Sequence, residues 1–191
     1  MKKIITLITA VALSTAAFAQ STWKVDRAHS RLTFSITHMA VSDVDGSFKD
    51  FEVTITSSKP DFSDARVEMI AKTASVNTEN EQRDTHLRSP EFFDVANHPT
   101  MEFRSTGIAP AGNNHYKLTG DLTLNGVTKQ VTVDFWYRGT VTNPGNKAED
   151  AGFQVTGSIN RKDFGFGSKF GPPMLGNNVD IKANGEFARV K

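Results

Sequence analysis

Five histidines, at positions 29, 38, 86, 98 and 115, stand among enough Ser, Asp and Glu for many kinds of acid–base chemistry. Their spacing argues against most of it. No pair forms H-x-x-x-H or H-x-H, so zinc would need ligands gathered from distant points of the chain. Asp84 and His86 share a stretch that reads as helix, but residues two apart face different ways. There is no Cys, which removes disulfides, thiolate metal sites and Cys nucleophiles. No G-x-S-x-G marks a nucleophile elbow. Gly165, Gly167 and Gly171 punctuate a loop rather than joining a strand to a helix, so a dinucleotide site fails on context. Two carboxylates at glycosidase separation are not something a sequence can display. The expectation is no catalytic residue, no metal and no cofactor.

Two polar residues remain of interest because of the side they face. Arg161 continues the inward parity of Phe153, Val155, Gly157 and Ile159. A cation facing an interior must be paired or solvated. It either joins an acid such as Asp163 or meets the polar head of a ligand. His38 extends the parity of Leu32, Phe34 and Ile36, and a neutral His there needs a hydrogen-bond partner. Phe164, Phe166 and Phe170, set between glycines, read as an aromatic rim at a barrel mouth or as plugs of its end.

The elements that must position these residues are strands. Phe51, Val53 and Ile55, then Val67, Met69 and Ala71, then Met101 and Phe103 alternate with polar neighbours. Leu118, Leu122 and Leu124, then Val131, Val133 and Phe135, then Val179, Ile181, Ala183 and Phe187 continue the pattern. This period of two fits antiparallel strands with one buried face. Asn125-Gly126 joins two of them as a hairpin, since both tolerate the positive φ of a type I′ turn. With Trp23–Val25 as an opening strand, roughly eight or nine segments arise. They suit an all-β sandwich or closed barrel; closure removes exposed edges. Small inward residues (Ala71, Ser105, Gly120, Gly157) either leave a narrow apolar cavity or interdigitate with large ones in a filled core.

The rhythm breaks at DTHLRSPEFFDVANHPTMEF, residues 84–103. Thr78 and Glu81 fit a capping box before a polar helix over Glu79–Arg88. Ser89-Pro90-Glu91 reads as the start of a second helical turn, anchored by Phe92 and Phe93. A helical insertion near residues 78–94 is therefore expected, as a cap over or beside the sheet.

The first twenty residues, MKKIITLITAVALSTAAFAQ, carry a basic start, an apolar run and an A-x-A site at Ala17–Ala19. That is the pattern of a cleavable export signal over residues 1–19, leaving one domain over 20–191. The apolar run is too short for a stable membrane span. Without Lys2 and Lys3, the 22 basic residues fall two short of that number against 21 acidic ones, a net charge near −1. Such a balance gives no footing for electrostatic nucleic-acid binding.

Taken in order, several stretches resemble the YceI-like family of exported polyisoprenoid-binding proteins. They are WKVDRAHS at 23–30, FSITH at 34–38, GSF at 46–48, DTHLRSPEFFD at 84–94, GDLTLNG at 120–126 and NRKDFG at 160–165. The resemblance implies an extended, eight-stranded, lipocalin-like antiparallel barrel with a long apolar tunnel for a polyisoprenoid or similar long-chain lipid. It also implies a periplasmic location and a homodimer. The candidate ligand-binding residues are Phe34, Ile36, His38, Met69, Phe103, Leu122, Phe135, Phe153, Arg161, Phe164 and Phe166. The alternative is a hydrolase or isomerase acting on an apolar substrate in the same cavity, with His38, Arg161 or Asp163 near the chemistry.

Overall fold

The computed structural model describes residues 19–190; most of the expected export signal lies outside the described residues. In chain order the strands are β1 (Ser21–His38), β2 (Ser42–Phe48), β3 (Phe51–Ser57), β4 (Arg66–Lys72) and β5 (Val76–Asn77). One helix, α1 (Glu81–Arg88), precedes β6 (Thr100–Gly112), β7 (His115–Leu124), β8 (Val127–Thr142), β9 (Glu149–Asn160) and β10 (Leu175–Arg189).

Every pairing is antiparallel, and β10 returns to β1, with Phe34 opposite Ile181, so the sheet closes into a barrel. Its eight staves are β1, β3, β4, β6, β7, β8, β9 and β10. The two short strands prolong staves rather than add to them. β2 pairs with the far half of β1 and β3 with its near half, so the two are one strand bent at Lys49 and Asp50. β5 prolongs β4 in the same way, after a 3-10 turn at Thr73–Ser75, and pairs with β2. The β7–β8 turn is the expected hairpin, with positive φ at both Asn125 and Gly126.

One half of the barrel is packed solid. Trp23, Ile55, Phe62, Leu118, Phe135, Phe153 and Phe187 form its core. Phe62 closes that end: the loop between β3 and β4 folds inward and sets its ring 4.9 Å from Phe153 and 5.5 Å from Trp23. Hydrogen bonds fix the loop. The Tyr116 hydroxyl donates to the Asp61 carbonyl, and Asp64 accepts from the Ser57 hydroxyl and the Ser58 amide.

The inward glycines do not leave space here. A Cβ on Gly120 would stand 2.5 Å from the Phe103 ring, and one on Gly157 would stand 2.8 Å from Val133. At these two positions the space beside a small residue is filled by a large neighbour, so the wall interdigitates there.

Two features of the insertion differ from the sequence expectation. The helix is capped by Asn80, whose side chain accepts from the Arg83 amide, and not by Thr78. Thr78 is occupied otherwise: its hydroxyl and its amide both donate to buried Asp84, at 2.5 and 2.8 Å. Ser89 both ends the helix and opens the next turn, its hydroxyl accepting from the Glu91 amide and its carbonyl from the Phe92 amide; that turn is not continued as a second helix.

Candidate functional site

The other end of the barrel is split twice. β4 gives way to β5 and leaves the edge of β6, opening the wall on one side. β8 pairs with β9 only from Asp134 onward, so the Val127–Val133 half of β8 parts from Gly157–Asn160. Each gap has its own cover. α1 and the residues after it fill the first, and the 161–174 segment fills the second, beginning as a 3-10 turn at Arg161–Phe164.

The covers are pinned by polar contacts at their edges. Arg88 donates to the carbonyls of Ala74 and Val76, which holds α1 to the prolonged stave. Arg83 donates to the hydroxyl and carbonyl of Thr78. Glu91 joins the two covers: one carboxylate oxygen meets His86 Nε2 at 2.7 Å, and the other accepts from Lys169 Nζ at 2.7 Å. Its carbonyl also accepts from the Gly167 amide. The His86 contact, then Lys169, holds the Glu91 carboxyl below its ordinary range. Aromatic contact reinforces the seam, with Phe92 stacked on Phe170 at 5.3 Å and Phe93 edge-on to Phe166 at 4.5 Å.

Arg161 organises the second cover from within. It is 1 % exposed. Its Nε donates to Gly176, one terminal nitrogen to Phe166 and Gly167, and the other to Phe170 and Leu175, all backbone carbonyls. A guanidinium has five N–H donors, so all are used. Neither sequence reading of Arg161 matches this: Asp163 is exposed and is not its partner, and no donor remains for a ligand head. Burial lowers the Arg161 pKa from its ordinary value, and the ring of carbonyl dipoles keeps the cation in place.

Between the covers and the split staves lies a cavity of about 330 Å³ with mainly apolar walls. Its walls come from β1 and β2 (Phe34, Ile36, Val44), the covers (Leu87, Phe92, Phe166) and β10 (Val179). Polar groups border it too, among them Thr78, Arg83, His86 and Arg161. A second, open groove of about 730 Å³ is bordered by the charged residues Arg31, Asp45, Lys49, Asp180 and Lys182 together with Phe34 and Ile181, which also border the first cavity.

Five of the eleven candidate residues border the cavity: Phe34, Ile36, His38, Arg161 and Phe166. His38 is exposed at its rim rather than buried in a core. Six stand elsewhere. Phe135 and Phe153 belong to the packed half. Met69 and Phe103 are partly buried, and Leu122 and Phe164 are buried in a second core cluster with Phe48, Phe93 and Met101. The covers contribute Arg83, His86, Leu87, Phe92, Phe93 and Phe170 to the lining, which the parity of strands did not reveal. The pair Phe92-Phe93, adjacent in a polar segment, was the available signal.

The candidate metal pair does not converge: Asp84 is buried against Thr78, and His86 is exposed against Glu91. Asp26, His29 and Glu186 do gather on the surface, at the bulge of β1. There Asp26 accepts from the Ala28 amide and from His29, a local turn contact whose hydrogen bond raises the His29 pKa.

A closed eight-stranded barrel with two split staves, a helical cover and an Arg-centred cover accounts for the motifs at 84–94 and 160–165 together. The YceI-like domain family matches residues 23–187. The chain belongs to the YceI-like family. Among its relatives is the UPF0312 protein SAS2572 of Staphylococcus aureus (strain MSSA476), 37% identical over 167 residues, which span 85% of this chain and 95% of the relative. Of solved structures, the Campylobacter jejuni YceI protein has a TM-score of 0.73 and 31% identity, covering 79% of this chain and 88% of its own. Burkholderia cenocepacia BcnA has a TM-score of 0.74 at 24% identity, covering 87% of this chain and 99% of its own. A polyisoprenoid binding domain from Saccharophagus degradans, implicated in plant cell wall breakdown, shares the fold at a TM-score of 0.65 and 13% identity, covering 91% of this chain and 100% of its own.

Proposed function

We propose that this YceI-like protein is an exported binding protein that seats one end of a long-chain apolar ligand, a polyisoprenoid or similar lipid, in the cavity under the two covers. The observation that carries this reading is the cavity itself: apolar walls of strand and cover, with the nearest buried cation fully committed to backbone carbonyls. Such a site rewards apolar surface, at about 0.8 kcal/mol per buried methylene, and offers few directional contacts. The likeness of the fold to a polyisoprenoid binding domain points the same way. Export is supported by the signal-like residues 1–19.

Its volume, about 330 Å³, is at the lower end of ordinary small-ligand sites. A polyisoprenoid of many units exceeds it. The seated end therefore fills the cavity, and the rest of the chain leaves through the mouth.

Organic extraction of protein purified without detergent tests this. About one long-chain lipid per protein chain is the expected result. A protein that carries none, and takes up no fluorescent alkyl-chain probe, rejects it. Turnover abolished by a single His38 substitution would favour the hydrolase or isomerase reading instead.

A further inference from the structure

At the cavity end, β1 turns into β2 through Met39, Ala40 and Val41. Val41 is 85 % exposed and Met39 49 %, an unusual setting for large apolar side chains. Beside them Met174, 50 % exposed, lies on the second cover, and the Met39 amide donates to the Met174 carbonyl at 3.1 Å. Pro172 and Pro173, also exposed, continue the same face. Met174 and His38 are exposed and border the cavity, so this apolar tip adjoins its rim.

The backbone adds a second observation. Met39 and Ala40 have φ of +54° and +58°. That region is strained for side-chain-bearing residues other than Asn and Asp. Two other tight hairpins of this chain place Asn113-Asn114 and Asn125-Gly126 at such angles. Phe62, Glu79 and Lys147 take such angles singly; here two adjacent apolar residues do, and strained backbone of this kind clusters at functional segments.

We propose that Met39, Ala40, Val41 and Met174 form a tip that enters the surface of a lipid bilayer and sets the cavity mouth against it. The proposal rests on reading the cavity as a lipid site. The size of the patch selects the occupant. A stable contact with a second copy buries about 800 Å² on each partner, far more than the side chains of Met39, Val41 and Met174 supply. A bilayer needs no shaped counterpart: a few apolar side chains entering the interface give weak, reversible attachment.

The test uses the mature full-length protein and vesicles of phosphatidylethanolamine and phosphatidylglycerol in a flotation assay. The variant is Met39→Asn/Ala40→Gly/Val41→Ser, which gives the turn the residues such angles favour. The wild type is expected to float with the vesicles, and the variant to bind at least about tenfold more weakly, with an unfolding midpoint no lower than the wild type's and unchanged extractable lipid. Met174→Asp, from the other loop, is expected to weaken flotation in the same way; its lipid content is no control, because Met174 also borders the cavity. Equal flotation of wild type and variants overturns the proposal, as does a wild type that stays with the protein-only fraction. A wild-type dimer that the variant loses also overturns it, in favour of a second copy. The two readings separate cleanly: extractable lipid without flotation rejects the tip alone, and flotation without extractable lipid rejects the cavity ligand.

Discussion

Arg161 shows how far a single residue was readable. Its inward parity and its charge were plain, and both called for compensation. The compensation was not plain, because five backbone carbonyls carry no sequence signature. Lys presents one ammonium in place of a planar fork and cannot reach five acceptors. Arg161→Lys is expected to lower stability by roughly 2–4 kcal/mol, since buried carbonyls lose their donors. Urea unfolding measures this; a variant that unfolds like the wild type but loses its ligand would make Arg161 a ligand contact instead. The inward glycines illustrate the opposite error. Gly120 reads as space, yet the Phe103 ring occupies it. Period two places a residue on a face but does not say how its neighbours' rings lie across it.

The staves were legible because a half-buried antiparallel strand writes itself as alternation, and the Asn125-Gly126 turn because its backbone angles select residue types. The covers were legible only as interruptions. Asn80 displaced Thr78 as cap because the Thr78 hydroxyl oxygen accepts from Arg83 Nε and its amide donates to buried Asp84, side-chain contacts that the capping-box spacing does not encode. The Phe62 plug was missed for the same reason: one Phe in a polar loop gives no period. Between the covers, Glu91 is the charged junction, and it yields a pH dependence. Its folded pKa lies below the ordinary 4.5, so its contribution is complete above about pH 4.5 and is lost as pH falls through the lowered value. The protection of amides 165–171 and 174 against hydrogen exchange, corrected for the intrinsic pH dependence of exchange, is expected to fall on acidification through that range in the wild type. In Glu91→Gln it is expected to be lower already at neutral pH and less responsive to acid. Identical acid profiles for the two proteins would remove Glu91 from the junction.

At the scale of the whole molecule, the barrel divides its interior. The half closed by Phe62 supplies rigidity, and the split half supplies the cavity. The two halves should therefore answer differently to substitution. Phe135→Ala, in the packed half, is expected to cost about 3–5 kcal/mol in unfolding free energy while leaving the cavity walls in place. Val179→Phe, in the cavity wall, is expected to change stability by about 1–3 kcal/mol at most and to reduce ligand occupancy. The fold and the class of site were readable from alternation and from the resemblance carried by residues 84–94 and 160–165. The position of the cavity at one end was not, because it depends on where two staves part company. The most direct measurement is native mass spectrometry of wild type and Val179→Phe, prepared identically without detergent. The expected result is about one long-chain lipid on the wild type and a markedly lower fraction on the variant; an empty wild type, or equal loading of both, would contradict a ligand seated in this cavity.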